Sequence, residues 1–205
     1  MDLGISGKTA LVSASSAGLG YASALALAEA GCKTVISGRN EERLMHAASK
    51  IPNSIPIIAD VSTVKGSQAL VRDARSQLGT SIDILITNAG GPPTGTFAST
   101  NVDQYLSAIE LNLMSVVAMC KETVPDMQEK KWGRILAITP ISVRQPIPNI
   151  MLSNTARAGV TGFLKTMALE IASDGVTANS IQPGLHATDR VLEVYGQENM
   201  EDLAQ

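Results

Sequence analysis

Residues Ser13-Ala14-Ser15-Ser16-Ala17-Gly18-Leu19-Gly20 form a run of small side chains. It lies between a short apolar stretch, Thr9-Ala10-Leu11-Val12, and an alanine-rich helical pattern from Tyr21 to Ala30. Such a turn, placed at a helix N-terminus, can hold a pyrophosphate. Glycine lets the backbone come close, and the free N–H groups and positive dipole end favour negative charge. Between a strand and a helix at the start of a βαβ unit, Gly18-Leu19-Gly20 points to dinucleotide binding. An ordinary βα turn built from small residues is the alternative reading.

Short apolar runs alternate with helical patterns along the chain. Strands are expected near residues 9–13, 34–37, 55–59, 82–87, 134–139 and 177–181. Several are apolar on successive residues, as parallel strands buried on both faces must be. Helices are expected near 19–30, 41–50, 64–78, 102–110, 113–130 and 152–173. This alternation predicts an α/β fold: a single Rossmann-type doubly wound parallel sheet with helices on both faces, one domain over residues 1–205. Two loops break the pattern just after strands, where α/β sheets bind ligands. They are Gly90-Gly91-Pro92-Pro93-Thr94-Gly95 and the proline-rich Pro140 to Pro148. Both should share an edge with the Gly18 turn.

Composition excludes several functions. Hydrophobic residues are 44% and charged residues 17%, a globular balance rather than a disordered one. A net charge of −3 and the lack of a basic face argue against nucleic-acid binding. No apolar run reaches the roughly 18 residues of a membrane span. The N-terminus, Met1-Asp2-Leu3-Gly4, lacks the character of a signal peptide. Cys32 and Cys120 have no metal-type spacing and read as reduced, buried thiols, so no metal is expected and the compartment is expected to be the cytoplasm.

The motifs together resemble the short-chain dehydrogenase/reductase family, and more closely its 3-oxoacyl-carrier-protein reductase-like members. The resemblance runs from Leu3 to about Thr188. The family's glycine-rich turn matches Ser13 to Gly20, its Asn-Ala-Gly matches Asn88-Ala89-Gly90, and its adenine-flanking Asp-Val matches Asp60-Val61. The asparagine of the central helix matches Asn112, and the Pro-Gly after the sixth strand matches Pro183-Gly184. The resemblance implies cofactor contacts from Ser13, Ser15, Ser16, Gly18, Leu19, Gly20, Asp60, Val61, Asn88, Ala89, Gly90, Pro183 and Gly184. At the end of the second strand, an NAD enzyme places an acid that accepts from the ribose hydroxyls. This chain instead has Ser37-Gly38-Arg39-Asn40. A guanidinium there can pair with the 2′-phosphate of NADP, so NADP (NADPH) is the expected cofactor. A solvated surface charge is the alternative for Arg39.

The proton-donating site departs from the family. The family uses a tyrosine acid, a lysine four residues later and a serine thirteen residues before the tyrosine. Aligned here, Ser153 stands for the tyrosine, Arg157 for the lysine and Pro140 for the serine. Only Asn112 of the tetrad is kept. A serine hydroxyl is far less acidic than a phenol, with its pKa of about 10, and is shorter. Losing a general acid costs on the order of 10²–10⁴ in rate. Arg157 can still reach the nicotinamide ribose as a cation. Ser142 can take over the substrate oxygen if the proline-rich loop folds inward, with Thr139 a second candidate. His186 is of the residue type that exchanges protons near neutral pH, though a backbone-bound loop residue is the more economical reading.

The expected activity is NADP-dependent hydride transfer to or from a carbonyl or alcohol, an acyl thioester among the candidate substrates, with Asn112, Ser142, Ser153 and Arg157 at the altered site. The alternative is an NADP-binding pseudoenzyme that works through a protein partner or as a redox sensor. Similar reductases continue for roughly another forty to sixty residues, so the expectation is either a fragment of a longer protein or an abbreviated substrate lid with the last strand missing. Residues 191–195 read as a helix, and Tyr195 is given no role. Leu113–Met119 and Val160–Ile171 are apolar on more than one face, and the resemblance implies pairing through them as a homodimer or homotetramer; burial within a single subunit is the alternative reading.

Overall fold

The computed structural model describes residues 2–184 together with His186, Thr188 and Val191. Six parallel strands are β1 (Thr9–Val12), β2 (Lys33–Gly38), β3 (Ile55–Ile58), β4 (Ile84–Thr87), β5 (Gly133–Ile138) and β6 (Val176–Ile181). They lie side by side in the order β3-β2-β1-β4-β5-β6. The helices are α1 (Gly18–Glu29), α2 (Glu41–Ala48), α3 (Val64–Leu78), α4 (Val102–Ile109), α5 (Ser115–Glu129) and α6 (Met151–Ile171).

Strand residues alternate between faces, and register aligns them across the sheet. Leu11 sits beside Val35 on one side and Leu85 on the other. These three and Ile135 pack beneath α3, α5 and α6, against Leu70, Met119, Met127 and Leu164. Ala10, Val12, Ile36, Ile84 and Ile86 face the opposite layer, where α1 and α2 supply Ala24, Ala28, Leu44 and Ala47. Burial on both faces is why the strands are apolar on consecutive residues. Truncating a core residue such as Leu11 to alanine should cost about 2–5 kcal/mol.

Helix starts follow side-chain chemistry. The Asn40 carboxamide oxygen accepts from the Arg43 N–H at 2.8 Å and starts α2. Asn101 and Gln104 form a reciprocal capping box at α4. α4 then packs Tyr105, Ala108 and Ile109 on Leu152 and Ala156 of α6.

One expectation changes. The sequence pattern left residues 111–112 between two helices, but the chain passes through them as a π-helical turn, Glu110–Met114. The Ser115 N–H reaches back to the Glu110 carbonyl. One extra residue in the turn rotates the helix locally, and Asn112 is buried within it.

β1 and β4 are neighbours, with the chain wound outward from them in both directions. Their carboxyl ends flank the crevice where doubly wound sheets bind ligands.

Candidate functional site

The turn after β1 is built by hydroxyl groups. Ser13 Oγ donates to the Asn88 carbonyl at 2.6 Å and accepts from the Asn88 N–H at 2.8 Å, tying β1 to the end of β4. Ser15 Oγ donates to the Val12 carbonyl at 2.7 Å and accepts from the Ser37 N–H at 3.0 Å, tying β1 to β2. Ser37 Oγ accepts from the Ala14 N–H, and Asn88 Nδ2 donates to the Ala14 carbonyl at 2.9 Å. The Ser13 and Ser15 hydroxyls are therefore spent within the protein, and any ligand contact from these residues falls to their backbone. Both are buried and committed to the frame, which positions the backbone that faces the crevice.

Ala14 takes φ +46°, in the left-handed region, where a Cβ is strained. Gly18 takes φ +57° at the first turn of α1. A Cβ at Gly20 would lie 2.6 Å from the Ala14 carbonyl oxygen and 2.8 Å from Asn88 Nδ2. Helix and strand could not then approach this closely. Ser16 lies beside Gly38 at the end of β2, and Leu19 is half-buried against the α1 layer.

Arg39 is exposed at the carboxyl end of β2. The Ser62 N–H on the Asp60 carboxylate, with the Arg39 charge adding to it, holds the Asp60 pKa below the usual carboxylate value. Arg39 and Asp60 thus share one corner of the crevice. The Val61 side chain does not join them: it is buried in the core layer of Leu70 and Val71, because its alternate position points inward. Only its backbone remains for an adenine contact.

At the ends of β4 and β5, Asn112 Nδ2 donates to the Gly90 carbonyl at 2.9 Å. Arg157 Nη2 donates to the Ala89 carbonyl at 3.0 Å and to Gly90 at 3.4 Å, and its Nη1 donates to Ile138 at 3.1 Å. Asn112 Oδ1 and Ser142 Oγ are buried without a hydrogen-bond partner among the described residues. The loop after β5 does fold inward, as a 3₁₀ turn over Ile141–Val143 that buries Ser142. Thr139 donates to the Ile181 carbonyl at 3.4 Å, so its hydroxyl is directed at β6 and its candidacy lapses. Ser153 lies one helical turn before Arg157, is 8% exposed, and makes no hydrogen bond among the described residues. His186 is exposed, with Nδ1 3.1 Å from the Gly184 carbonyl, and Pro183 and Gly184 follow β6 in irregular chain. Residues 192–195, including Tyr195, lie outside the described residues.

Thr188 was not singled out from sequence. Its methyl lies 3.5 Å from where a Gly18 Cβ would stand, so Thr188 rests against the glycine turn. A hydroxyl residue shortly after Pro183-Gly184 was the available signal. Beside these loops, a cavity of 620 Å³ is lined by Phe97, Pro146, Ile147, Pro148, Met151 and Asn154.

A family profile described as short chain dehydrogenase matches residues 8–199. The chain belongs to the short-chain dehydrogenase family. It is 34% identical over 190 residues to the 3-oxoacyl-acyl-carrier-protein reductase of Synechocystis, a match covering 90% of this chain and 76% of that one. It is 31% identical to the 3-oxoacyl-acyl-carrier-protein reductase FabG of Vibrio cholerae, covering 99% and 83%. Among solved structures, L-sorbose reductase from Gluconobacter frateurii, complexed with NADPH and L-sorbose, superposes with a TM-score of 0.90. That likeness has 31% identity and covers 98% of this chain and 78% of the reductase.

As a short-chain dehydrogenase, the chain brings its motifs to one edge. The Gly18–Gly20 turn can face a diphosphate with backbone N–H groups. The Asn112–Gly90–Arg157 cluster closes the other end of the same crevice. An open turn, a cation at each end and an unpaired buried carboxamide oxygen fit a long, phosphorylated polar ligand. No cluster of metal-ligating side chains occurs among the described residues.

Proposed function

We propose that this chain is an NADP-dependent oxidoreductase that transfers a hydride to or from a carbonyl or alcohol carbon, with a proton-donating site unlike the family's. The observation that carries the reading is the convergence of the glycine turn, Asn88 and the Asn112–Gly90–Arg157 cluster on the crevice between β1 and β4. The NADPH-bound L-sorbose reductase, alike over almost the whole chain, supports it.

When bound, the cofactor supplies a hydride-donating or hydride-accepting ring. The Gly18–Gly20 turn would receive the diphosphate on backbone N–H groups, and Thr188 would close over it. Arg39 would pair with the 2′-phosphate, and Ser16, Asp60 and the Val61 backbone would flank the adenosine. Asn88, Ala89 and Gly90 would line the ribose side, with Leu19, Pro183 and Gly184 around the pocket. Asn112 would hold a water through Oδ1, and Arg157 would fix the ribose end of the site. Ser142 and Ser153 would orient the substrate oxygen. The relatives named 3-oxoacyl reductases make a 3-oxoacyl thioester a fitting substrate to try first.

Calorimetry with NADP and NAD tests the reading. NADP should bind at least roughly tenfold tighter, and Arg39→Ala should erase that margin, since a charge-assisted phosphate pair is lost. Equal affinity, or no binding of either, sinks it.

A binding-only role is the second reading, favoured by Pro140, Ser153 and Arg157 at the three tetrad positions. Bound NADPH that no carbonyl oxidises in a single turnover would select it.

We place residues 1–205 in one domain, acting in the cytoplasm as a homodimer or homotetramer. The outer face of α6, with Thr155, Ala158, Gly159, Gly162 and Leu169 exposed, supports pairing with a second copy. No helix among the described residues is long and apolar enough to cross a membrane.

A further inference from the structure

The loops after β4 and β5 and the start of α6 frame the cavity of 620 Å³, with Phe97, Pro146, Ile147, Pro148 and Met151 among its walls. Backbone hydrogen bonds pin those walls. The Gly95 N–H donates to the Asn149 carbonyl at 2.7 Å, and the Met151 N–H donates to the Gly95 carbonyl at 3.1 Å. Gly95 and Ile150 thereby pair as an isolated parallel bridge between the two loops. Asn154 Nδ2 donates to the Ile147 carbonyl at 2.8 Å and ties the proline-rich loop to α6. Pro146 and Pro148 stiffen that loop further, since each ring locks its φ. The cavity is therefore preformed, and its volume lies in the range of small-molecule sites.

We propose that this cavity seats an uncharged hydrocarbon portion of the ligand, so that the chain selects apolar ketones, or the matching alcohols, over polyhydroxylated ones. Calling that ligand a substrate rests on the hydride-transfer reading, whereas its binding does not.

The lining sets the class. Among the described residues it has no acidic, basic or imidazole side chain, so a charged group seated there would lose its water without gaining a partner. Of its four polar side chains, three spend donors within the protein. Thr96 Oγ1 donates to Ser99 Oγ at 3.3 Å, Thr155 Oγ1 donates to the Met151 carbonyl at 3.0 Å, and Asn154 Nδ2 is held by Ile147. A polyol there would give up bonds to water for few replacements. A hydrocarbon gains by burial against the proline rings, Ile147 and Met151, and Phe97, 81% exposed, has apolar surface still to cover. None of Asn112, Ser142, Ser153 or Arg157 lines the cavity. Asn154 and Thr155 stand about 100° and 200° around α6 from Ser153. The cavity is thus beside the polar cluster rather than part of it, which suits a tail whose polar head lies in the crevice.

Ligand-observed NMR titration of the full chain, free and with NADP present, tests this with straight-chain 2-alkanones from butanone to octanone and with a ketohexose. Affinity should rise by about fourfold for each methylene added, the yield of burying one such group. The ketohexose should bind more weakly than octanone by roughly tenfold or more. Phe97→Ala, at an exposed position, should lower octanone affinity several-fold and leave butanone unchanged. Thr155→Trp, on the exposed side of α6, should fill the cavity and flatten the series, whereas Thr155→Ser should leave it intact. Melting temperatures confirm that each variant is folded. A series flat in the parent, a ketohexose bound as tightly as octanone, or a slope untouched by both Phe97→Ala and Thr155→Trp overturns the proposal. NADP retention is measured separately on the same samples, so loss of the cofactor reading and loss of the cavity reading are told apart.

Discussion

Asn112 and Arg157 share a single acceptor, the Gly90 carbonyl oxygen, at 2.9 Å from Asn112 Nδ2 and 3.4 Å from Arg157 Nη2. A π-turn on one side and a long helix on the other thereby hold the start of the loop after β4. The same guanidinium also grips Ile138 at the end of β5.

Replacing Arg157 with lysine should be costly although charge is kept. An ammonium is a compact point charge and cannot span the Ile138 and Ala89 carbonyls as a planar fork does. We expect a loss of about 1–2 kcal/mol in stability, together with weaker NADP binding. Urea denaturation and calorimetry check this, and a variant as stable as the parent would show that the fork is dispensable.

Ala14→Gly should stabilise the protein. A non-glycine residue in the left-handed region costs about 1–2 kcal/mol, against which glycine loses about 0.4–1 kcal/mol of unfolded-state entropy. Ala14 sits at φ +46° with both backbone groups hydrogen-bonded, so it cannot relax. The net gain should be roughly 0.5–1 kcal/mol, visible as a higher melting temperature. A lower one would mean the turn is not strained.

Acid should release Asp83. Burial pushes its pKa up, but the Thr9 N–H at 3.1 Å and the Lys130 ammonium at 3.1 Å outweigh that and hold it below the usual carboxylate value. A folded pKa lower than the unfolded one gives stability that is present above about pH 4 and lost as pH falls through the folded value. Asp83→Asn should cost about 1–2 kcal/mol at neutral pH, and the gap from the parent should shrink in acid. Urea melts at the two pH values measure it; a constant gap would contradict the assignment.

Cys120 should resist alkylation in the folded protein. Burial in the α5 layer pushes its thiol up to about 12, leaving almost no thiolate at neutral pH. Mass spectrometry after iodoacetamide, native against urea-unfolded, should show modification of Cys120 only on unfolding.

The strands were legible because parallel strands buried on both faces carry consecutive apolar residues, as at Leu11-Val12 and Ile84-Leu85-Ile86. Strand and helix positions come within a few residues of the expectation for the same reason. The gap left at residues 111–112 shows the limit. The π-turn over Glu110–Met114 left no signal in the apolar spacing of these residues. The bracing role of the Ser13 and Ser15 hydroxyls was not legible, because small residues in a turn serve equally for close approach and for bracing. Their partners, Asn88 and Ser37, lie 75 and 22 residues away, beyond any local pattern.

Local chemistry by itself determined the α/β alternation, the glycine turn after β1 and the arginine after β2. These depend on residue type and near neighbours along the chain. Tertiary structure alone decided that Arg157 is spent on three carbonyls, that Ser142 turns inward while Thr139 faces β6, and that Thr188 meets Gly18. Each of those facts joins elements distant in sequence, and only packing of the sheet and its helices sets which donor reaches which acceptor.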